Sequence, residues 1–367
     1  MKNDKLKQWL VILSFGCVLI FGCVGSFLYP DQKISDTERR PLTQFQKPTK
    51  DTIINGSFMK NFEDYSVDQF PVRDGFRQLK ACTALSLFRQ QDVNDLYMVD
   101  GFVSKMDAQI NEDSFNYATD RFSLVYDTYL KDKKMDIYSV LIPDKNQFMA
   151  KKSGHLALDF DALKAMWEEK MSFAQNIPIE NLLSLDDFYQ TDIHWRQEKI
   201  GDISKKIADT MGITLKNTYE LKNAEVPFNG VYAGQLAIKM PADDFYYVQS
   251  EVFDYCQVYD YETKQYLPVY DEAALLGKDA YSFFLHGSKS LLTIENPTCE
   301  NDQELIVFRD SFGSSIAPYW IEGYKKITLV DIRYIMPKML GNFIEFKDQD
   351  VLFMYSTDVI NHSEMLK

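Results

Sequence analysis

Four short apolar runs constrain the fold of this chain more than any other feature. Met135–Ile142, Glu304–Phe308, Ile327–Val330 and Val351–Tyr355 each have strand length. The stretches beside them have helical periodicity. Phe115, Tyr117, Phe122, Val125, Tyr126 and Tyr129 recur at helical spacing across Asp113–Lys131, and Asp159–Gln175 is again helical. Arg196–Met211 sets Ile200, Ile203, Ile207 and Met211 on one face, with Gly212 placed to end the helix. Ser314–Tyr324 follows as a further helix. Strands alternating with helices predict an α/β fold, a parallel sheet with helices on both faces.

Two regions fall outside that alternation. Leu221 to about Pro297 is rich in Tyr, Phe, Val and Asp with little helical spacing, and reads as a mainly β insertion. Residues 29–90 are expected to lead into the domain. Tyr29 to about Lys50 is polar and proline-punctuated, as a stalk would be, and Asn55–Gln90 has the apolar spacing of one or two helices. The α/β domain is then expected over 91–367.

The N-terminus predicts a membrane span within residues 1–28. Lys2, Lys5 and Lys7 precede an apolar stretch, Trp9–Leu28, long enough to cross a hydrocarbon core of about 30 Å as a helix. The lysines predict a cytoplasmic N-terminus with the rest of the chain outside the cell membrane. A cleaved signal peptide and a lipoprotein site at Gly22-Cys23 are the alternatives. Phe21 is bulky for the latter.

Charge and composition exclude several chemistries. A net charge of −14 leaves no basic footprint for nucleic acid. The four histidines are scattered and no CxxC occurs, so neither a metal site nor a cofactor is expected. Cys256 and Cys299 could pair, but spacing cannot show it.

Two short motifs carry the chemistry. Asp192-Ile193-His194-Trp195 sets a carboxylate and an imidazole two residues apart, where an extended or turning backbone points both the same way. Arg309-Asp310-Ser311-Phe312-Gly313 follows a strand, so Ser311 would stand at a strand's carboxyl end, with backbone amides of its neighbours available to an oxyanion. A base, a group to orient it and a nucleophile are the inventory for acyl transfer through serine. Each motif alone also reads as a helix cap.

Together the motifs resemble the DHHW family and are similar to the alginate O-acetylation proteins of the SGNH-hydrolase-like superfamily. Glu38-Arg39-Arg40-Pro41-Leu42, Asp68-Gln69-Phe70-Pro71-Val72-Arg73-Asp74, Ile142-Pro143-Asp144-Lys145 and Asp331-Ile332-Arg333-Tyr334 match further family elements in order. The resemblance implies Ser311 as nucleophile, His194 as general base and Asp192 as the group that orients it. It implies a permuted order, with Asp-x-His before the serine block. It departs at Arg309, where the serine block carries glycine, and no oxyanion donor is clear. Asn229-Gly230 and Gly234-Gln235 are weak candidates.

Lys145, Arg309, Arg333, Trp195 and Tyr232 are the expected substrate-binding or supporting residues, Lys145 and Arg333 more as partners of local carboxylates. Tyr232, Phe245, Tyr246 and Tyr247 could form a glycan-binding wall, or simply core. The expected function is O-acetylation of a cell-envelope or secreted polysaccharide, with a multi-pass membrane O-acyltransferase as acetyl donor. An esterase with the same triad, or a scaffold that kept only the fold, are the alternatives.

Overall fold

The computed structural model describes residues 2–216 and 218–367. The chain forms two compact units: residues up to Asn94 with Val231–Lys239, and Asp95–Gly230 with Met240–Lys367.

The larger unit is built on an eight-stranded sheet. In chain order its strands are β1 (Ile137–Ile142), β2 (Gln175–Asn176), β3 (Gln257–Asp260), β4 (Gln265–Leu267), β5 (Leu291–Glu295), β6 (Glu304–Arg309), β7 (Lys326–Val330) and β8 (Asp350–Ser356). Their spatial order is β4-β3-β5-β7-β6-β8-β1-β2. The half from β7 to β2 is parallel. Strands β3, β4 and β5 add to it antiparallel, so the expected parallel sheet is one half of a larger mixed one. Much of the expected insertion is therefore the sheet's own extension. Only Glu220–Phe228 and Asp243–Gln249 pair apart from it as a hairpin.

Alternation along the strands makes two cores, one per face. Leu305 and Val307 pack on one side with Ile203, Ile207, Trp320 and Ile321. Ile306 and Phe308 pack on the other with Phe115, Phe122, Leu163 and Trp167. The helices covering the second face, Glu112–Val125 and Phe160–Lys170, are capped by Asn111 and Asp159, whose side chains accept the amides of Ser114 and Ala162.

Boundaries differ from expectation where backbone chemistry intervenes. The helix expected over Asp159–Gln175 stops at Lys170, and Gln175 instead joins β2. The segment after Arg196 opens as a tight turn, Gln197–Lys199, before the helix Gly201–Thr210, and Gly212 ends it at φ +76°. The expected Ser314–Tyr324 helix starts earlier, at Phe312, and tightens to 3-10 geometry from Ala317, where Pro318 removes a backbone donor.

In the smaller unit the helix Lys2–Leu28 contains an apolar window, Lys5–Ser26, long and apolar enough to cross a membrane. The two arginine-rich elements meet in this unit. Arg40 makes paired hydrogen bonds to Asp68 at 2.6 and 3.0 Å, and Arg73 reaches Glu38 at 2.5 Å.

Candidate active site

The carboxyl ends of the parallel strands gather the motif residues. Ser311 lies two residues beyond β6, the strand between β7 and β8. Lys145 follows β1, and Asp331 follows β7. This edge is where open α/β sheets bind ligands, because each strand ends there in a loop or a helix start.

Asp192, His194 and Ser311 form one hydrogen-bonded chain. His194 Nδ1 lies 2.5 Å from Asp192 Oδ1, and His194 Nε2 lies 2.7 Å from Ser311 Oγ. The backbone N–H of His194 also donates to Asp192 Oδ1 at 3.1 Å. Asp192 is fully buried, while the His194 side chain keeps 13% exposure and Ser311 is half-buried. A carboxylate on Nδ1 favours the tautomer with Nε2 free to accept the serine proton.

The loop carrying Asp192 is fixed from below by Lys145. Its ammonium is buried and donates to the carbonyls of Tyr189 at 2.9 Å and Asp192 at 2.5 Å. Burial pushes the Lys145 ammonium down to about 8, against the pull of Asp192, Asp144 and Asp243. Lys145 is wholly buried, with its ammonium directed at the carbonyls of the loop that carries Asp192. Thr191 is tied by its hydroxyl and amide to Asp243 at 2.6 and 2.9 Å. The Gly230 amide donates to Thr191 Oγ1 at 2.8 Å. That amide is thus committed to the loop and does not serve an oxyanion. Gly230 is required there because a Cβ would overlap the Thr191 carbonyl and Asp192 Cβ.

The serine turn is equally committed. Asp310 accepts the Phe312 amide at 3.0 Å and, through its other oxygen, the Ser356 amide and hydroxyl at 2.8 and 2.7 Å. Gly313 N–H donates to Asp310 O and Ser314 N–H to Ser311 O. Of the amides expected to face an oxyanion, those of Phe312, Gly313 and Ser314 are therefore occupied. The Ser311 amide is the candidate that stays.

Arg309 is buried and donates to Asp310 O and to Ser314 Oγ at 3.2 and 3.0 Å, with Asp331 at 3.9 Å. Its Nε and Nη2 make no hydrogen bond among the described residues. Gly313 allows the arginine stem to pass, since a Cβ there would lie 2.7 Å from Arg309 Cβ. Arg333 grips Asp331 with Nη2 at 2.7 Å and Nε at 2.9 Å. Arg309 is thus held inside the serine turn, and Arg333 pairs with Asp331 while its side chain keeps 12% exposure. Trp195 is wholly buried, its Nε1 donating to Ser315 Oγ at 2.8 Å. Tyr232 sits on the short helix Val231–Leu236, which belongs to the smaller unit and not to the one that builds the triad.

Of the two readings of the aromatics, Phe245 takes the core one, fully buried against Phe228, Phe283 and Phe284. The residue that sequence reasoning missed is Tyr281. Its ring stacks on His194 with centroids 3.7 Å apart and planes 10° from parallel, and its hydroxyl donates to Ser315 Oγ at 2.9 Å. Nothing in the Tyr- and Phe-rich stretch around it singles it out. Cys256 and Cys299 are both free thiols, not a disulfide.

No protein-family profile matches the sequence, and no curated protein does. Solved structures do match. A DHHW family protein from Eubacterium siraeum aligns with a TM-score of 0.59 at 22% identity, over 73% of this chain and 93% of that one. Bacillus cereus PatB1, solved with a sulfonyl adduct, aligns at 0.56 and 17% identity, over 73% and 97%. The O-acetyltransferase domain of Pseudomonas putida AlgJ aligns more distantly, at 0.43 and 8% over 72% and 92%. The chain has the fold of the DHHW family protein, as its motifs imply.

Proposed function

We propose that this chain is a membrane-anchored, extracytoplasmic SGNH-like O-acetyltransferase acting on a cell-envelope or secreted polysaccharide. Ser311 is the nucleophile, His194 the general base and Asp192 the group that orients it. The observation that carries this is the continuous relay from Asp192 Oδ1 through His194 to Ser311 Oγ, at 2.5 and 2.7 Å, at the carboxyl edge of the sheet. The DHHW and alginate resemblance supports acetyl as the acyl group and an exported donor from a multi-pass membrane acyltransferase.

The chemistry runs in two halves. His194 Nε2 takes the Ser311 proton as Oγ attacks the acetyl carbonyl, and returns it to the donor's leaving oxygen as that bond breaks. The acetyl group then rests on Ser311. A sugar hydroxyl gives its proton to His194 Nε2 while attacking the same carbonyl, and Ser311 leaves with the proton restored. Asp192 holds the imidazole in position and stabilises the imidazolium in both halves. The Ser311 amide is the nearest candidate donor to the oxyanion.

Incubation with an activated acetyl ester and an unmodified oligosaccharide tests the reading. Acetylated sugar, lost in the Ser311→Ala variant, supports transfer. Acetate release alone, unchanged by any sugar offered, contradicts transfer in favour of hydrolysis.

A further inference from the structure

The helix Arg73–Cys82 in the smaller unit is built inside out. Two of its charged residues, Arg73 and Arg77, are only 15% exposed and pair with Glu38 at 2.5 and 3.3 Å, while Asp74 and Lys80 stay exposed. The apolar residues Val72 at its N-cap, Phe76 and Leu79, spaced i, i+4, i+7 along one face, are 59, 44 and 62% exposed. Leu87 and Phe88 beyond it are also exposed. In water an amphipathic helix turns its apolar stripe inward. This stripe is instead turned outward.

The stripe begins at the apolar N-terminal helix. Phe76 packs edge-on against Phe70, with ring centroids 5.4 Å apart. A Cβ on Gly22 would lie 2.8 Å from the Phe70 ring, and one on Gly25 would overlap Pro71. Gly22 and Gly25 are buried on a helix whose surface is otherwise largely open. Gly22 is one turn inside the end of the apolar window Lys5–Ser26, about 6 Å by helical rise. With that window across a bilayer, Phe70 stands at the boundary between acyl chains and headgroups. Interfacial helices sink their apolar face about 5–10 Å to this level. Charge allows it: residues 29–94 carry ten Lys/Arg against nine Asp/Glu, while the whole chain is −14. This segment is not repelled by an anionic surface as the remainder is.

We infer that the helix Arg73–Cys82 lies on the outer lipid surface beside the span, with Val72, Phe76 and Leu79 immersed in the lipid. The inference rests on the membrane-anchored reading above. Lipid, and not a protein partner, is the occupant because the stripe is continuous through Phe70 with the face of the span.

The full chain reconstituted in vesicles tests it. Phe76→Trp and Leu79→Trp each place a fluorescent reporter on the stripe, and Gln78→Trp places one on an exposed position off it. The vesicles carry lipid brominated on the upper acyl chain, and the wild-type emission of the native tryptophans is subtracted. The expected result is about twofold quenching of the reporters at positions 76 and 79 and almost none at position 78. Retention after an alkaline wash reports the anchor separately. A retained chain whose reporters at 76 and 79 are no more quenched than the one at 78 overturns the inference while the anchor stands. Release by the wash overturns the anchored reading itself, and this inference with it.

Discussion

His194 Nε2 stands 2.7 Å from Ser311 Oγ although 117 positions separate the two residues. Strand β6 delivers the serine, and a loop held by Lys145 and Asp243 delivers the histidine. The geometry makes the loop's fixings as consequential as the groups they place.

Asp192→Asn keeps the side chain's shape and removes its charge. The imidazolium formed in each half-reaction then loses its partner. Turnover is expected to fall about 10³–10⁴-fold, with the fold intact by circular dichroism. A loss below tenfold would mean that Asp192 does not stabilise His194.

Lys145→Met replaces a buried donor by an apolar chain of similar length and leaves the Tyr189 and Asp192 carbonyls without that partner. Each unsatisfied buried carbonyl costs about 1–3 kcal/mol. Thermal melting is expected to shift down and kcat to fall, while KM for the acceptor sugar stays near wild type. A large rise in KM with unchanged kcat would return Lys145 to substrate binding.

Gly230→Ala tests the other side of the same loop. The added methyl meets backbone, which cannot step aside as a flexible side chain would. A destabilisation of about 1–3 kcal/mol is expected from such overpacking. Serine labelling should fall with it. Wild-type labelling and melting would show that the loop yields freely.

Tyr281→Phe retains the ring over His194 and loses the bond to Ser315, whereas Tyr281→Ala loses both. The phenylalanine variant should keep most activity. The alanine variant should lose about 10–100-fold, because a base displaced by an ångström no longer meets its proton in line. Equal rates for the two would remove the stacking from the account.

His362 provides a pH test away from the site. Its Nε2 pairs with Asp107 Oδ2 at 3.1 Å, and that hydrogen bond raises the imidazole above its ordinary 6.5 in the folded chain. Stability from the pair is fully present below pH 6.5 and is lost as pH rises through the raised folded value. His362→Gln should therefore destabilise most at about pH 5–6 and hardly at all well above the folded value. With the His362 side chain 40% exposed, solvent screening holds the effect below about 1 kcal/mol. A difference that grows with pH would contradict the pairing.

The strands are legible in the sequence where they are buried on both faces, as at Leu305–Phe308 and Val351–Tyr355, because no polar residue interrupts them. Strands β3, β4 and β5 are harder to assign. They extend the sheet antiparallel from a Tyr-rich stretch whose pattern fits a separate insertion equally well. Asp192, His194 and Ser311 stand out by residue type and spacing, and the family resemblance joins the two motifs into one candidate site. Lys145, Arg309, Arg333 and Trp195 can be named as candidates for binding or support, but what each one holds cannot. Lys145 and Arg309 look like charged residues at turns, and only long-range folding buries them. Tyr281 acquires its place over His194 purely from tertiary packing, which no local pattern encodes.

The most direct measurement is intact-protein mass spectrometry of the full chain in detergent after exposure to an activated acetyl ester or a sulfonyl fluoride. Wild type, Ser311→Ala and His194→Ala are compared. One adduct per chain is expected in wild type, mapped to Ser311 by peptide analysis, and none in either variant. Labelling that persists at the same site count in Ser311→Ala, or a folded wild type that takes no adduct from either reagent, would contradict a serine nucleophile poised by His194.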